Sequence, residues 1–275
     1  MKKSESEATY GGTQVKFVLG GMDTEMNEIE QLLTAHGYEW VYAQKNGQRV
    51  DRSQSYDSDY PHPTPGDVWI ECRPEGLSVP ILYSLGIDVI DHHNPGDVGY
   101  HKPFSEYWEA SSLGQLCIRL KLPVTERMRF IAAADHCLLG AYHGMCPGVD
   151  REAFYDFRMA FYDRVENPKA YLRELYEQAI ECPVVEIGNS KVYDITQLAN
   201  YNRGWFADMA CYYNIKTLNT LKKPNRTKYF VSNLSGKDIE YFMKTYVYEL
   251  GDVIRVYGDP KRQFAAAVVS HANQD

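Results

Sequence analysis

Several chemistries are missing from this sequence. Its six cysteines (Cys72, Cys117, Cys137, Cys146, Cys182, Cys211) never form a C-x-x-C pair. With no secretory signal in view they read as reduced, buried thiols of a cytosolic protein. Met1 to Tyr10 is polar and lacks the apolar core of a signal peptide, and no run approaches a membrane span. There is no G-x-S-x-G elbow and no H-E-x-x-H helix. Ser235-Gly236-Lys237 resembles the end of a phosphate-binding loop but lacks its leading glycine. No internal repeat is evident. Positive charge is also scarce, with 29 Lys+Arg against 37 Asp+Glu and a net charge of −8. The deficit is uneven: 17 basic residues face 28 acidic ones before Val184, and 12 face 9 from there on. An acidic body argues against long nucleic acid held by its phosphate backbone, which needs many cationic contacts. It is compatible with a metal-loaded site, because cations offset clustered carboxylates.

What the sequence does contain is centred on Leu85-Gly86-Ile87-Asp88-Val89-Ile90-Asp91-His92-His93-Asn94-Pro95-Gly96-Asp97. The β-branched pair Val89-Ile90 reads as a buried strand, and Asn94-Pro95-Gly96 stops it with turn chemistry. An acid and two imidazoles therefore fall where a strand ends, the edge at which open α/β sheets bind ligands. Carboxylate oxygen and imidazole nitrogen together suit Mn, Zn or Fe, or a phosphate-cleaving site built on such an ion.

The flanking chain alternates strand and helix. Val15–Leu19 is the first strand, Gly20-Gly21 a tight turn, and Met26, Ile29 and Leu33 mark one face of a helix that Gly37 ends. Asp23 and Glu25 lie at that junction, where they can cap the helix or turn toward a metal. Glu39–Ala43 is a second strand. Gln44–Gly66 is long, polar and proline-rich, the signature of a lid or of a disordered insertion. Asp67–Glu71 is a third strand, ending in a carboxylate, and Ser78–Leu85 a short helix. This rhythm implies a mainly parallel sheet with right-handed crossovers. A helix beginning near Glu109 carries Ser111 and Ser112. Thr125 caps a longer one running to about Tyr142, on which Met128, Ile131, Asp135, Leu138 and Tyr142 share a face. Asp135 interrupts that apolar stripe and needs a cation or a hydrogen-bonding pocket.

Beyond Cys146-Pro147-Gly148 the pattern gives two helices between Arg151 and Ile180, parted at Asn167-Pro168. A hairpin follows, turning at Gly188-Asn189, then a helix near Trp205–Leu221 and a strand at Tyr229–Ser232. Last come a helix over Lys237–Glu249 and strands at Val253–Tyr257 and Phe264–Ser270. The expected architecture is α/β: a first domain over 1–182 with a mainly parallel sheet, and a smaller mixed α/β domain over 183–275, joined near Cys182-Pro183.

The order Gly20-Gly21-Met22-Asp23-Thr24-Glu25, strand-end Glu71, Asp91-His92-His93, Ser111-Ser112, then Asp135 resembles the DHH phosphoesterase superfamily over roughly residues 15 to 145. Members include single-strand exonucleases, phosphodiesterases of short oligonucleotides and cyclic dinucleotides, and inorganic pyro- and polyphosphatases. The resemblance implies one or two Mn²⁺ (or Mg²⁺) ions held by Asp23, Glu25, Glu71, His92 and Asp135. It gives His93 and Asp91 catalytic roles, with His93 facing the phosphate, and places Ser111 and Ser112 at the substrate. Gly20 and Gly21 occupy the region where the family carries a histidine, and Glu stands in place of Asp at 25 and 71. Asp97 and His101 are candidates to compensate.

The second domain is similar, more loosely, to the substrate domain that accompanies DHH modules. There Lys261 and Arg262, before Ala265-Ala266-Ala267, either grip a phosphate or form an exposed basic turn. The expectation is a cytoplasmic metal-dependent hydrolase of a small nucleotide or short oligonucleotide, with its site in the cleft between domains and no membrane partner. A homodimer is compatible with it. Two alternatives stay open: an inactive DHH-fold nucleotide-binding or scaffold protein, and a single-strand exonuclease.

Overall fold

The computed structural model describes residues 9–10, 13–162, 164–198 and 203–270. Most of the polar amino-terminal stretch lies outside them. The chain is α/β and groups into two compact units, Met1–Lys102 with Glu106–His136, and Pro103–Ser105 with Cys137–Asp275. Among the described residues no helix is long and apolar enough to cross a membrane.

The first unit is built on four parallel strands: β1 (Lys16–Leu19), β2 (Glu39–Tyr42), β3 (Val68–Ile70) and β4 (Asp88–Ile90), in the spatial order β2-β1-β3-β4. Helix α1 (Thr24–Ala35) crosses from β1 to β2, and α2 (Val79–Ser84) from β3 to β4. Strands buried on both faces read as unbroken apolar runs, and these do. Val18, Trp69 and Val89 pack with Val79 and Leu82 of α2 on one side. The alternate residues Phe17, Leu19 and Ile70 are buried as well. α1 buries Met26, Ile29, Leu32 and Leu33, each contributing roughly 1.5–3 kcal/mol. Two further helices complete this unit's share of the site: α3 (Ser112–Leu120), and α4 (Glu126–Tyr142) as far as His136.

The 44–66 insertion is folded rather than structureless. Gln44–Lys45 and Gln48–Arg49 form a hairpin whose Asn46-Gly47 turn has positive φ at both residues. Lys45 bridges Asp57 and Glu75, Val50, Ser55 and Ser58 are buried, and Arg49 donates to the carbonyl of Gly20 at 3.2 and 3.1 Å. The insertion is thereby tied to the carboxyl end of β1.

The second unit holds helices α5 (Arg151–Ala160), α6 (Pro168–Ala179) and α7 (Arg203–Tyr213). Its six-stranded mixed sheet comprises β5 (Val184–Ile187), β6 (Ser190–Asp194), β7 (Thr217–Lys223), β8 (Arg226–Ser232), β9 (Asp252–Asp259) and β10 (Phe264–Ser270), ordered β9-β10-β8-β7-β6-β5. Only the β6–β7 pair is parallel. The helix expected over Trp205–Leu221 is corrected here: α7 stops at Tyr213, Asn214 takes a left-handed turn (φ 52°), and Thr217 onward pairs with both β6 and β8. Strand pairing on two sides outweighs the local helical pattern. Asp208 of α7 is fully buried and accepts from both Arg158 and Tyr142, which leaves no uncompensated charge.

Candidate metal centre

Backbone geometry brings the carboxyl ends of β1, β3 and β4 close together. The Glu71 N–H donates to the carbonyl of Ile90 at 3.0 Å, and the Gly20 N–H to that of Ile70 at 3.0 Å. Glu71 adopts φ 51°, a left-handed conformation that costs a non-glycine residue of order 1–3 kcal/mol. A Cβ on Gly20 would stand 2.4 Å from the Glu71 carbonyl oxygen, and one on Gly21 2.8 Å from the amide nitrogen of Arg52. Side chains are therefore excluded at both glycines, in the region where the sequence reading finds no first-motif histidine. The insertion and the turned Glu71 occupy that space.

After β4, one oxygen of Asp91 organises the turn. Its Oδ1 accepts from the backbone N–H of His92 (2.7 Å) and of His93 (3.0 Å), and lies 2.9 Å from His93 Nδ1. His92 points inward: its Nε2 is 3.0 Å from Asp135 Oδ2 and 3.7 Å from Glu71 Oε1, and its Nδ1 is 3.2 Å from His136 Nδ1. Glu71, His92, His93 and Asp135 each offer one ligand atom within 4.8 Å of all the others. Residues up to 64 positions apart in sequence thus converge.

Asp23 and Glu25 stand beside this group rather than among its four members. Asp23 Oδ1 caps α1 by accepting from the Met26 N–H (2.7 Å), and its Oδ2 pairs with Arg52 (2.7 Å). Glu25 is buried, and its Oε1 accepts from the Leu113 N–H at the start of α3 (3.0 Å). Ser111 caps the same helix end by accepting from Gly114, while Ser112 is buried. Asp97 accepts from the Asn94 N–H (2.7 Å) and lies 3.7 Å from Arg73, closing the loop after the signature. His101 stacks on Tyr100. Lys261 and Arg262 belong to the second unit. Arg262 Nε donates to the buried Asp259 carboxylate at 2.8 Å, and the Lys261 backbone N–H donates to the same group.

The electrostatics are those of crowded acids short of cations. Burial, then the charge of Asp135, raises both Asp23 and Glu25, Glu25 strongly. Burial lifts Glu71 to about 8 against the opposing pull of His93. Desolvation pushes the half-buried Asp135 the same way, but its bond to His92 together with the charges of His92, His93 and Arg52 outweigh that and hold it below the usual carboxylate range. Burial alone would lower His93; the charge of Glu71 and the bond to Asp91 raise it to about 10. Among the described residues, four buried carboxylate oxygens, Glu25 Oε2, Glu71 Oε1, Asp91 Oδ2 and Asp97 Oδ1, find no hydrogen-bond partner. A buried acceptor left unpaired costs about 1–3 kcal/mol, more when charged. A divalent cation answers both deficits, and a mixed imidazole–carboxylate donor set suits a transition ion. The residues present therefore fit a metal ion.

Two neighbours of the cluster escaped the sequence reading. Arg52 lies in the insertion and carried no signal. His136 could have been noticed as a second polar residue, directly after Asp135, in the otherwise apolar Ala132-Ala133-Ala134 stretch of α4.

No protein-family model matches the chain, and no curated protein does. Among solved structures, the pGpG-specific phosphodiesterase PggH from Vibrio cholerae aligns at 14% identity over 94% of this chain and 93% of its own, with a TM-score of 0.37.

Proposed function

We propose that the protein is a metal-dependent phosphoesterase of DHH type acting on a small nucleotide or short oligonucleotide, with residues 1–182 as the metal-binding domain. The observation that carries this reading is the convergence of Glu71, His92, His93 and Asp135 at the carboxyl edge of a parallel sheet, beside buried carboxylate oxygens that lack a hydrogen-bond partner among the described residues. Glu71, His92 and Asp135 would hold the ion, with Asp23 and Glu25 adding negative charge at its back. When bound, a divalent cation supplies Lewis acidity toward a phosphoryl group.

The remaining work belongs to side chains. His93 is 45% exposed, the most open of the four. Asp91 Oδ1 lies against its Nδ1, and the charge of that carboxylate favours the protonated ring. A fixed imidazolium beside the ion stabilises negative charge developing on phosphate oxygens. Asp91 sets the orientation of that ring by holding both its backbone and its Nδ1. The acidic balance before Val184 favours a substrate with few phosphates over a polymer.

A second reading is a nucleotide-binding protein that kept the fold without catalysis. It is favoured by the Arg52–Asp23 ion pair, which places a built-in cation on the first acid. Ion content of the purified protein, followed by cleavage of a dinucleotide and of a long single strand with and without Mn²⁺ across a salt series, separates the readings. We expect Mn²⁺-dependent cleavage of the dinucleotide with a shallow salt slope. Preference for the long strand with a steep slope would point to an exonuclease. Ion binding without cleavage of either substrate would favour the binding protein.

A further inference from the structure

His136 is buried at the back of the cluster, and its two ring nitrogens have different neighbours. Nε2 lies 3.3 Å from the backbone carbonyl of Lys102, and Nδ1 lies 3.2 Å from Nδ1 of His92. A carbonyl can only accept, so the Lys102 contact requires a proton on His136 Nε2. In a neutral ring that leaves Nδ1 with a lone pair, which accepts a proton from His92 Nδ1. The Nδ1 proton of His92 is then engaged away from the cluster. Its Nε2 faces Asp135 Oδ2 at 3.0 Å and Glu71 Oε1 at 3.7 Å; without an ion it carries the proton that the Asp135 carboxylate accepts, the proton a bound cation would displace. From this relay we infer that His136 is a positioning residue: Lys102 O, His136 and His92 form a chain that holds the Nδ1 proton of His92 and orients its Nε2 into the cluster as the ligand atom.

The loop after the Asp-His-His signature supports the relay. The Gly99 N–H donates to the carbonyl of Asp91 at 3.1 Å, and a Cβ on Gly99 would lie 2.6 Å from the Cβ of His92. The loop thus closes tightly over His92 before presenting the Lys102 carbonyl to His136. The His92 and His136 rings sit 5.2 Å apart between centroids, inclined by 34°, so each nitrogen contact lies near the ring edge, as a ring N–H bond requires. A hydrogen bond on the far nitrogen of a ligating histidine fixes its orientation, and its loss typically costs 10–100-fold in metal affinity.

The inference deepens the metal reading and rests on it only for affinity. The proton positions can be read from the metal-free protein by long-range nitrogen–proton NMR of the labelled imidazoles. We expect His136 protonated on Nε2 alone and His92 protonated on Nδ1 as well as on the Nε2 that faces Asp135. A proton on His136 Nδ1 overturns the relay whether or not metal binds. Mn²⁺ titration by calorimetry then compares two variants. His136→Asn keeps an acceptor near the Nδ1 position, and His136→Leu removes it. We expect a roughly 10–100-fold loss of affinity in the leucine variant and near-wild-type affinity in the asparagine variant. Equal loss in both, or none in either, overturns the positioning role. If His136→Leu fails to fold, the asparagine variant and the nitrogen shifts decide. A wild type that binds no ion while showing the expected proton positions would sink the metal reading and leave the relay standing.

Discussion

Asp135→Asn isolates the charge of one cluster member while keeping its shape. In the wild type Asp135 Oδ2 sits 3.0 Å from His92 Nε2. At an effective dielectric constant near 20, two unit charges at that distance attract by roughly 5–6 kcal/mol before desolvation is subtracted. Removing the carboxylate forfeits that attraction but also relieves its repulsion of Asp23, Glu25 and Glu71. In the presence of chelator these effects oppose each other, so the melting temperature should move by no more than about 4 °C, equivalent to about 1 kcal/mol in a protein of this size. Ion affinity has no such offset. Loss of a charge-assisted contact of about 3 kcal/mol lowers it by roughly 100-fold. Calorimetric Mn²⁺ titration and thermal unfolding in chelator measure the two quantities on the same preparations. If Asp135 instead serves only a structural ion pair, its loss should cost about 3–5 kcal/mol. A melting temperature lower by about 10 °C or more in chelator, with Mn²⁺ affinity unchanged, would refute the ligand argument.

Three other substitutions test neighbouring parts of the structure. Burial, helped by the charge of Asp91, pushes Asp97 up to about 6, so its ionisation opposes folding. The stability it contributes is present below its unfolded pKa of about 4 and lost as pH rises through about 6. Denaturant unfolding should show Asp97→Asn gaining about 2 kcal/mol on wild type between pH 4.5 and 7.5; a gap independent of pH contradicts this. Gly20→Ala places a methyl against the Glu71 carbonyl and should cost about 3 kcal/mol or more by forcing backbone apart. It should weaken Mn²⁺ binding with it, and an unperturbed variant would show that β1 and Glu71 are not packed this tightly. Arg262→Ala strands the buried Asp259 carboxylate and should destabilise the second unit by about 3–5 kcal/mol, visible as earlier loss of amide protection over β9 and β10; unchanged protection would mean the pair is dispensable.

The parallel strands of the first unit were legible because their signals are local. Val89-Ile90 followed by Asn94-Pro95-Gly96, or Met26, Ile29 and Leu33 ahead of Gly37, state a strand end or a helix face within a dozen residues. The same signals placed acids and imidazoles at the strand ends and Asp135 on an apolar helix face. Folding alone decided which of them meet. Glu71 joins His92 and Asp135 because strand pairing and a left-handed backbone turn bring them together, and no single stretch encodes that. Asp23 loses an oxygen to Arg52 because the 44–66 insertion folds back over the sheet edge. The helix read through Leu221 gave way to β7 because partners on both sides, β6 and β8, offered its backbone more than a helix would. His136 acquired its place behind His92 only when the Lys102 carbonyl returned to meet it. Periodicity and turn chemistry act between near neighbours, so the sequence by itself determined the elements. Ion pairs, ring contacts and backbone close approach act across the whole chain, so only the tertiary structure decided the site.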